Sequence, residues 1–210
     1  IEEYIRPSRV VENGRVVVKE ALSEPELVDF EGLGTLEAFN TDGLRSLIET
    51  LDVPNMVEKT MRYPGHIELM KVFRETGLFS DETIELKDGT RVRPLDVTEH
   101  LLFPKWTFED MEPDVTVMRV TAEGVHGKVP TRLRWDLVDH LDPATGFTSM
   151  SRTTAFPAAA MARMIADGTF KSRGVIPPEH IVKRKGIVEI LMKQLAARGV
   201  HYVAKVETID

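Results

Sequence analysis

Asn13-Gly14 stands between Arg9-Val10-Val11-Glu12 and Arg15-Val16-Val17-Val18-Lys19. Two β-branched runs separated by two residues that tolerate positive φ predict a hairpin closed by a type I′ turn. The run from Thr83 to Arg93 repeats the pattern, with Asp88-Gly89 as the turn and Ile84, Leu86 and Val92 as strand residues. A third, longer hairpin follows. Val115, Val117 and Val120 mark one strand, and Leu133, Trp135 and Leu137 alternate with Arg132, Arg134 and Asp136 on the other, around a loop at Gly124 to Lys128. Period-two alternation of this kind buries one face and leaves the other to water or a partner.

Between the hairpins the period changes. Leu44, Leu47, Ile48 and Leu51 recur at helical spacing and predict a helix over 42–51, with Thr41 or Asp42 as its N-cap. Short strands are expected at Thr35 to Asn40 and Met56 to Arg62. Ile67, Met70, Phe73 and Leu78 suit another helix, with Gly77 where the chain must turn left-handed after the last turn. Pro94 and Pro104 are expected to bracket a short helix carrying Leu95, Leu101 and Leu102. Phe147 to Arg152 reads as a strand, leading through Pro157, near a first helical turn, into an alanine-rich helix that stops at Gly168. After Pro177-Pro178, Ile187, Ile190, Leu191 and Leu195 mark a last helix ended by Gly199, and Val200 to Val206 a last strand. The pattern predicts an α+β fold: a mixed, largely antiparallel sheet with helices packed on one face, in a single domain over 1–210.

The chain holds 210 residues, 42% of them hydrophobic, and carries a net charge of −7 without cysteine. This composition suits a packed core and excludes disulfides, thiolate metal sites and cysteine nucleophiles. The acidic balance and the lack of a noticed Lys/Arg cluster argue against nucleic acid as a partner. No run approaches the roughly 18 apolar residues of a membrane span, and a cytoplasmic location fits best. Ile1 in place of Met predicts a piece of a longer chain.

Gly32-Leu33-Gly34-Thr35-Leu36-Glu37 imitates a dinucleotide fingerprint but places Glu37 at the third glycine and a strand where a helix must face the pyrophosphate. A tight turn is expected there instead. The six histidines are scattered singly, and no spacing suggests a metal site. Lys59 to His66 is more informative. A strand opening into a helix there would bring backbone N–H groups, the Arg62 guanidinium and the His66 imidazole towards one anion, or else leave Arg62 paired with Glu58 or Asp42 beside a Tyr-Pro turn. Glu37 to Gly43 has the same strand–turn–helix form and would set Asn40, Thr41 and Gly43 beside that ligand, or simply cap a helix. Ser149 to Thr154 is a third polar cluster, at the entrance to the alanine-rich helix.

Three segments together resemble the C-terminal part of the saccharopine dehydrogenase (saccharopine reductase) family, including its lysine 6-dehydrogenase branch. They are Leu36 to Gly43, Glu58-Lys59-Thr60-Met61-Arg62-Tyr63-Pro64-Gly65-His66, and Ser149 to Pro157, with Gly174-Val175-Ile176-Pro177-Pro178-Glu179 in support. The resemblance implies a GAPDH-like substrate domain of a homodimeric oxidoreductase. In that reading NAD or NADP is held by a separate N-terminal Rossmann domain that this chain lacks, and this chain alone binds no cofactor. Hydride would pass between the nicotinamide and a C–N centre of saccharopine or lysine type. Arg62 would clamp the carboxylate of an amino-acid substrate, Tyr63, Phe39, Asn40, Thr41 and Gly43 would shape the cleft, and His66 would relay a proton. No catalytic residue is assigned. The helical stretch 153–199 would pack toward the Rossmann domain. Two alternatives are a stand-alone, non-enzymatic module for oligomerisation or amino-acid sensing, and a related enzyme acting on carboxynorspermidine.

Overall fold

A computed structural model describes residues 1–209. The Asn13-Gly14 turn forms with φ of 51° and 73°, and joins β1 (Ser8–Glu12) to β2 (Arg15–Lys19) with Glu12 opposite Arg15. The chain divides into two compact units, Ile1–Thr107 and Phe108–Asp210.

In the first unit a one-turn helix, α1 (Glu2–Ile5), precedes the hairpin. A three-stranded antiparallel sheet follows, ordered β3 (Glu26–Phe30), β4 (Gly34–Asn40), β5 (Lys59–Arg62). The Gly32–Gly34 segment is the tight turn between β3 and β4, closed by Leu33 N donating to Phe30 O at 3.1 Å. The expected strand over Met56 to Arg62 is shorter, because Met56 instead bridges Val11 of β1.

The helix expected over 42–51 shrinks to one turn, α2 (Leu47–Thr50), after Ser46. Both expected caps are engaged elsewhere: Asp42 accepts from Arg9, and the Thr41 hydroxyl donates to Glu58. Arg45 then takes a positive φ of 50°, which no α-helix accommodates. α3 (His66–Glu75) ends as its glycine requires. Gly77 has φ of 80°, Gly77 N donates to Arg74 O and Leu78 N to Phe73 O, the paired bonds of a Schellman motif. Its inner face joins Tyr4, Leu22, Phe39 and Phe79 in the core through Ile67 and Met70.

The Asp88-Gly89 hairpin forms with only two residues per strand, β6 (Ile84–Glu85) and β7 (Arg91–Val92). α4 (Pro94–Trp106) begins at its proline as expected but runs through Pro104 rather than stopping there. A proline in the last turn removes one N–H donor without blocking the few residues that remain. Thr107 finishes the helix by donating from both N and Oγ1 to Phe103 O.

In the second unit β8 (Val115–His126) and β9 (Val129–His140) pair along their full length, and β10 (Tyr202–Thr208) pairs with β9 from the other side. β8 and β10 are therefore the edges. Leu133, Trp135 and Leu137 share a face with Met118, Val120 and Val206 by register. The opposite face carries two cross-strand ion pairs, Arg119–Asp136 and Arg132–Glu123, and Arg134 pairs with Asp136 along β9 itself.

Residues 149–152 are helical, correcting the expected strand: α5 (Ser149–Ala166) starts eight residues before Pro157, which lies inside it. Thr148 accepts from Ser151 N, and Asp114 accepts from Ser149 N at 2.7 Å and Met150 N at 3.2 Å. Burial opposes ionisation of Asp114, yet these donors hold its carboxyl below the usual range. α6 (Pro178–Ile181) and α7 (Ile187–Ala196) follow the Pro-Pro break. Leu137 of the sheet packs with Leu195 and Val200, and Met164, Phe170 and Ile187 form an adjoining cluster. The architecture is α+β, built of four small antiparallel sheets.

Candidate functional site

β4 and β5 run antiparallel with Glu37 opposite Arg62 and Asn40 opposite Lys59. Because the strands are antiparallel, the turn after β4 lies beside the start of β5, and the two sequence-predicted turns stand at opposite ends of the strand pair. Tyr63-Pro64-Gly65 then redirects the chain into α3, with Gly65 at φ 91°.

Arg62 is partly exposed. Its Nη1 donates to Met61 O at 2.9 Å and its Nη2 to Glu3 Oε2 at 3.2 Å, so its partner is neither Glu58 nor Asp42. Tyr63 is 62% exposed. His66 is half-buried, with Nε2 3.0 Å from the Tyr4 hydroxyl. Burial, with the Arg62 charge nearby, holds His66 below the usual imidazole range despite Glu37. Two of the donors expected to meet an anion are thus met by the protein itself: Glu3 takes Arg62, and Glu37 Oε2 takes Gly65 N at 3.2 Å.

The other predicted residues lie deeper. Phe39 has no exposed surface and packs in the core beside Tyr4, ring centroids 6.2 Å apart. Asn40 is equally buried; its Nδ2 donates to Ser23 Oγ and Glu24 Oε2, while its Oδ1 has no partner. Thr41 Oγ1 and Gly43 N both donate to Glu58 Oε2, at 2.5 and 2.9 Å, and Thr60 Oγ1 lies 3.0 Å from Thr41 Oγ1. A Cβ on Gly43 would overlap the Glu58 carboxyl, so any side chain here must push that carboxyl away from its donors. Asp42 is held by Arg9 through Nε at 2.8 Å, Nη2 at 3.0 Å and the backbone N, and the Arg9 bond keeps its carboxyl below the usual range.

Glu3 and Tyr4 complete the arrangement and carry no local sequence signal, whereas Glu37 and Glu58 lie in the segments singled out above but engage Gly65 and the Thr41–Gly43 turn. Glu37 is visible only once the β4–β5 register is known. Glu3 lies 59 residues from Arg62, and no local pattern connects them.

The third polar cluster is structural. Arg152 lies buried against Asp139, with Nε to Oδ2 at 2.9 Å, and donates to Arg198 O. Ser149 Oγ donates to Asp114 and lies 2.7 Å from Thr116 Oγ1.

The chain does not offer a dinucleotide cradle where the glycines would suggest one, because Gly32 and Gly34 close a hairpin and lead into a strand. Among the described residues no group of three or more His, Asp or Glu side chains is placed to hold a metal, and no helix is long and apolar enough to cross a membrane.

Residues 1–200 match the family described as "Saccharopine dehydrogenase C-terminal domain". The chain is also 31% identical over 112 residues to "Saccharopine dehydrogenase [NADP(+), L-glutamate-forming]" of Saccharomyces cerevisiae (strain ATCC 204508 / S288c). That alignment covers 52% of this chain and 24% of the yeast protein, so the matched part spans about a quarter of the relative's length. The chain belongs to the saccharopine dehydrogenase family, as its C-terminal domain.

Proposed function

We propose that this chain is the substrate-binding and dimerisation domain of an NAD(P)-dependent oxidoreductase acting on the C–N bond of an amino acid of saccharopine or lysine type. The observation that carries the reading is Arg62. Its guanidinium stands at the surface beside a half-buried imidazole, restrained by one exposed carboxylate, Glu3. An exposed ion pair contributes only about 0–1 kcal/mol, so an incoming α-carboxylate displaces Glu3 at small cost and gains a two-pronged partner. Tyr63 and His66 flank that carboxylate. Phe39 supports that surface from behind through its core contact with Tyr4, while Asn40, Thr41 and Gly43 would extend the cleft from the other end of the β4–β5 pair, where Glu58 holds Thr41 and Gly43.

The yeast relative's printed name includes NADP(+). In the complete enzyme NAD or NADP accepts or supplies the hydride. In this reading another part of the complete enzyme holds the nucleotide; the Gly32–Gly34 segment, which imitates a dinucleotide fingerprint, closes a hairpin instead. Two exposed apolar surfaces support contacts of the kind a multi-domain dimer makes. The outer part of the β8–β9–β10 face leaves Val120 and Val206 uncovered, and α5 turns Ala155, Ala158, Ala159 and Ala162 outward. The latter fits the stretch 153–199 as the side that meets the dinucleotide domain.

The test is a calorimetric titration of the 210-residue chain with saccharopine, lysine and glutamate, repeated with Arg62→Ala. Saturable binding that falls by about tenfold or more in the variant is expected, since a charge-assisted pair contributes roughly 1.5–3 kcal/mol. Equal affinity in the variant, or no binding by the parent chain, overturns the assignment of Arg62.

A further inference from the structure

The second unit gathers positive charge in one short stretch. Between Lys171 and Lys185 the chain carries Lys171, Arg173, Lys183, Arg184 and Lys185 against one acid, Glu179, although the protein as a whole is negative by seven charges. Repulsion among these cations works against folding unless an anion offsets it.

Three of these cations, Lys171, Arg184 and Lys185, line a depression. Thr169, Phe170, Lys171 and Ser172, just after α5, form one wall, and Arg184, Lys185 and Ile187, at the start of α7, form the other, enclosing about 360 Å³. Phe170 and Ile187, which also line it, are buried in the core cluster with Met164. Arg184 Nη2 donates to Ser172 Oγ at 3.1 Å, which ties one wall to the other. No carboxylate lines the depression, and Lys171 and Lys185 form no ion pair among the described residues. Gly186, at φ 85°, turns the chain so that the ten-residue α7 begins at the rim, its positive dipole end adding to the field.

We propose that this depression is a binding site for the phosphate group of a small ligand. Three cations and two hydroxyls exceed what one carboxylate can engage. They match a phosphate dianion, whose three oxygens accept several charge-assisted bonds at once and suit the planar fork of arginine. The limited volume and the acidic remainder of the protein disfavour a nucleic acid.

The test uses the 210-residue chain, titrated at constant ionic strength with inorganic phosphate, with phenyl phosphate and with acetate, and followed by amide chemical shifts. Saturable shifts at 169–172 and 184–187 are expected for phosphate, and acetate should bind at least about tenfold more weakly. Lys171→Ala combined with Lys185→Ala should weaken phosphate binding by about tenfold or more without lowering the melting temperature of the ligand-free chain, whereas Lys128→Ala in the β8–β9 loop should leave phosphate binding unaltered. Single Lys→Gln variants at 171 and 185 repeat the comparison should the double variant fold poorly. Preference for phenyl phosphate would identify an esterified ligand, and preference for inorganic phosphate the free ion. Non-saturating shifts, equal binding of acetate, or unchanged affinity in the lysine variants would each refute the site.

Discussion

Arg152 of α5 and Asp139 of β9 form a buried two-point ion pair, Nε to Oδ2 at 2.9 Å and Nη2 to Oδ1 at 3.3 Å. The same guanidinium reaches Asp142 at 3.3 Å and donates to Arg198 O at 3.1 Å. One side chain thereby pins the helix, the strand, the loop after the strand and the end of the last helix. Removing one partner leaves the other charged and buried, so Arg152→Ala should lower the unfolding free energy by about 3–5 kcal/mol. Urea denaturation measures it, and a loss under about 1 kcal/mol would mean that the pair is replaced by water without penalty.

Phe39 and Tyr63 should separate stability from recognition. Phe39→Ala empties a site with no exposed surface and should cost about 3–5 kcal/mol of stability. Tyr63→Ala, at an exposed position, should change stability by no more than about 0.5 kcal/mol and weaken carboxylate ligands instead. Paired denaturation and titration curves decide; a reversal of the two roles would remove Tyr63 from the proposed cleft.

Gly43 is fixed by what lies over it. Gly43→Ala forces the Glu58 carboxyl aside and should destabilise by about 1–3 kcal/mol. Glu58→Ala removes both the obstacle and the acceptor of Thr41 and Gly43. The double variant should therefore lose less than the two single losses added together, by at least about 0.5 kcal/mol. Strict additivity would show that the two positions do not meet in solution.

His66 gives a pH dependence of defined sign. Its folded value lies below the unfolded one, mainly through burial, so the folded chain binds this proton less readily. The contribution of His66 to stability is complete above the unfolded value, falls as pH drops from there, and levels off below the folded value. Unfolding free energies from about pH 8 to about pH 5 should decline more steeply for the parent chain than for His66→Gln. Parallel curves would place His66 in an environment no different from water.

Features governed by neighbours in sequence were legible before the structure. The Asn13-Gly14 hairpin rests on turn chemistry alone, and the end of α3 on one glycine. Long-range competition explains the failures. The leucine spacing at 44–51 does describe a helix, but Arg9 and Glu58 draw away both of its caps from 33 and 17 residues distant. The polar run at 149–152 looked like a strand because Asp114, 35 residues upstream, supplies the helix start. Arg62 could be singled out by its place after a strand, whereas its partner Glu3 depends on how α1 lies. The basic depression has no local signature, because its two walls are separated by the Pro177-Pro178 break.

The full-length pairing of β8 with β9 leaves one margin of a twelve-residue strand unbonded among the described residues. At about 3.4 Å per residue that margin extends roughly 40 Å, long enough to template another extended chain. Such a margin is guarded by its own charges, here Arg119 and Glu123, and by Gly124, whose low strand propensity discourages a new partner. Neutralising those charges would turn a safeguard against association into a nucleus for aggregation.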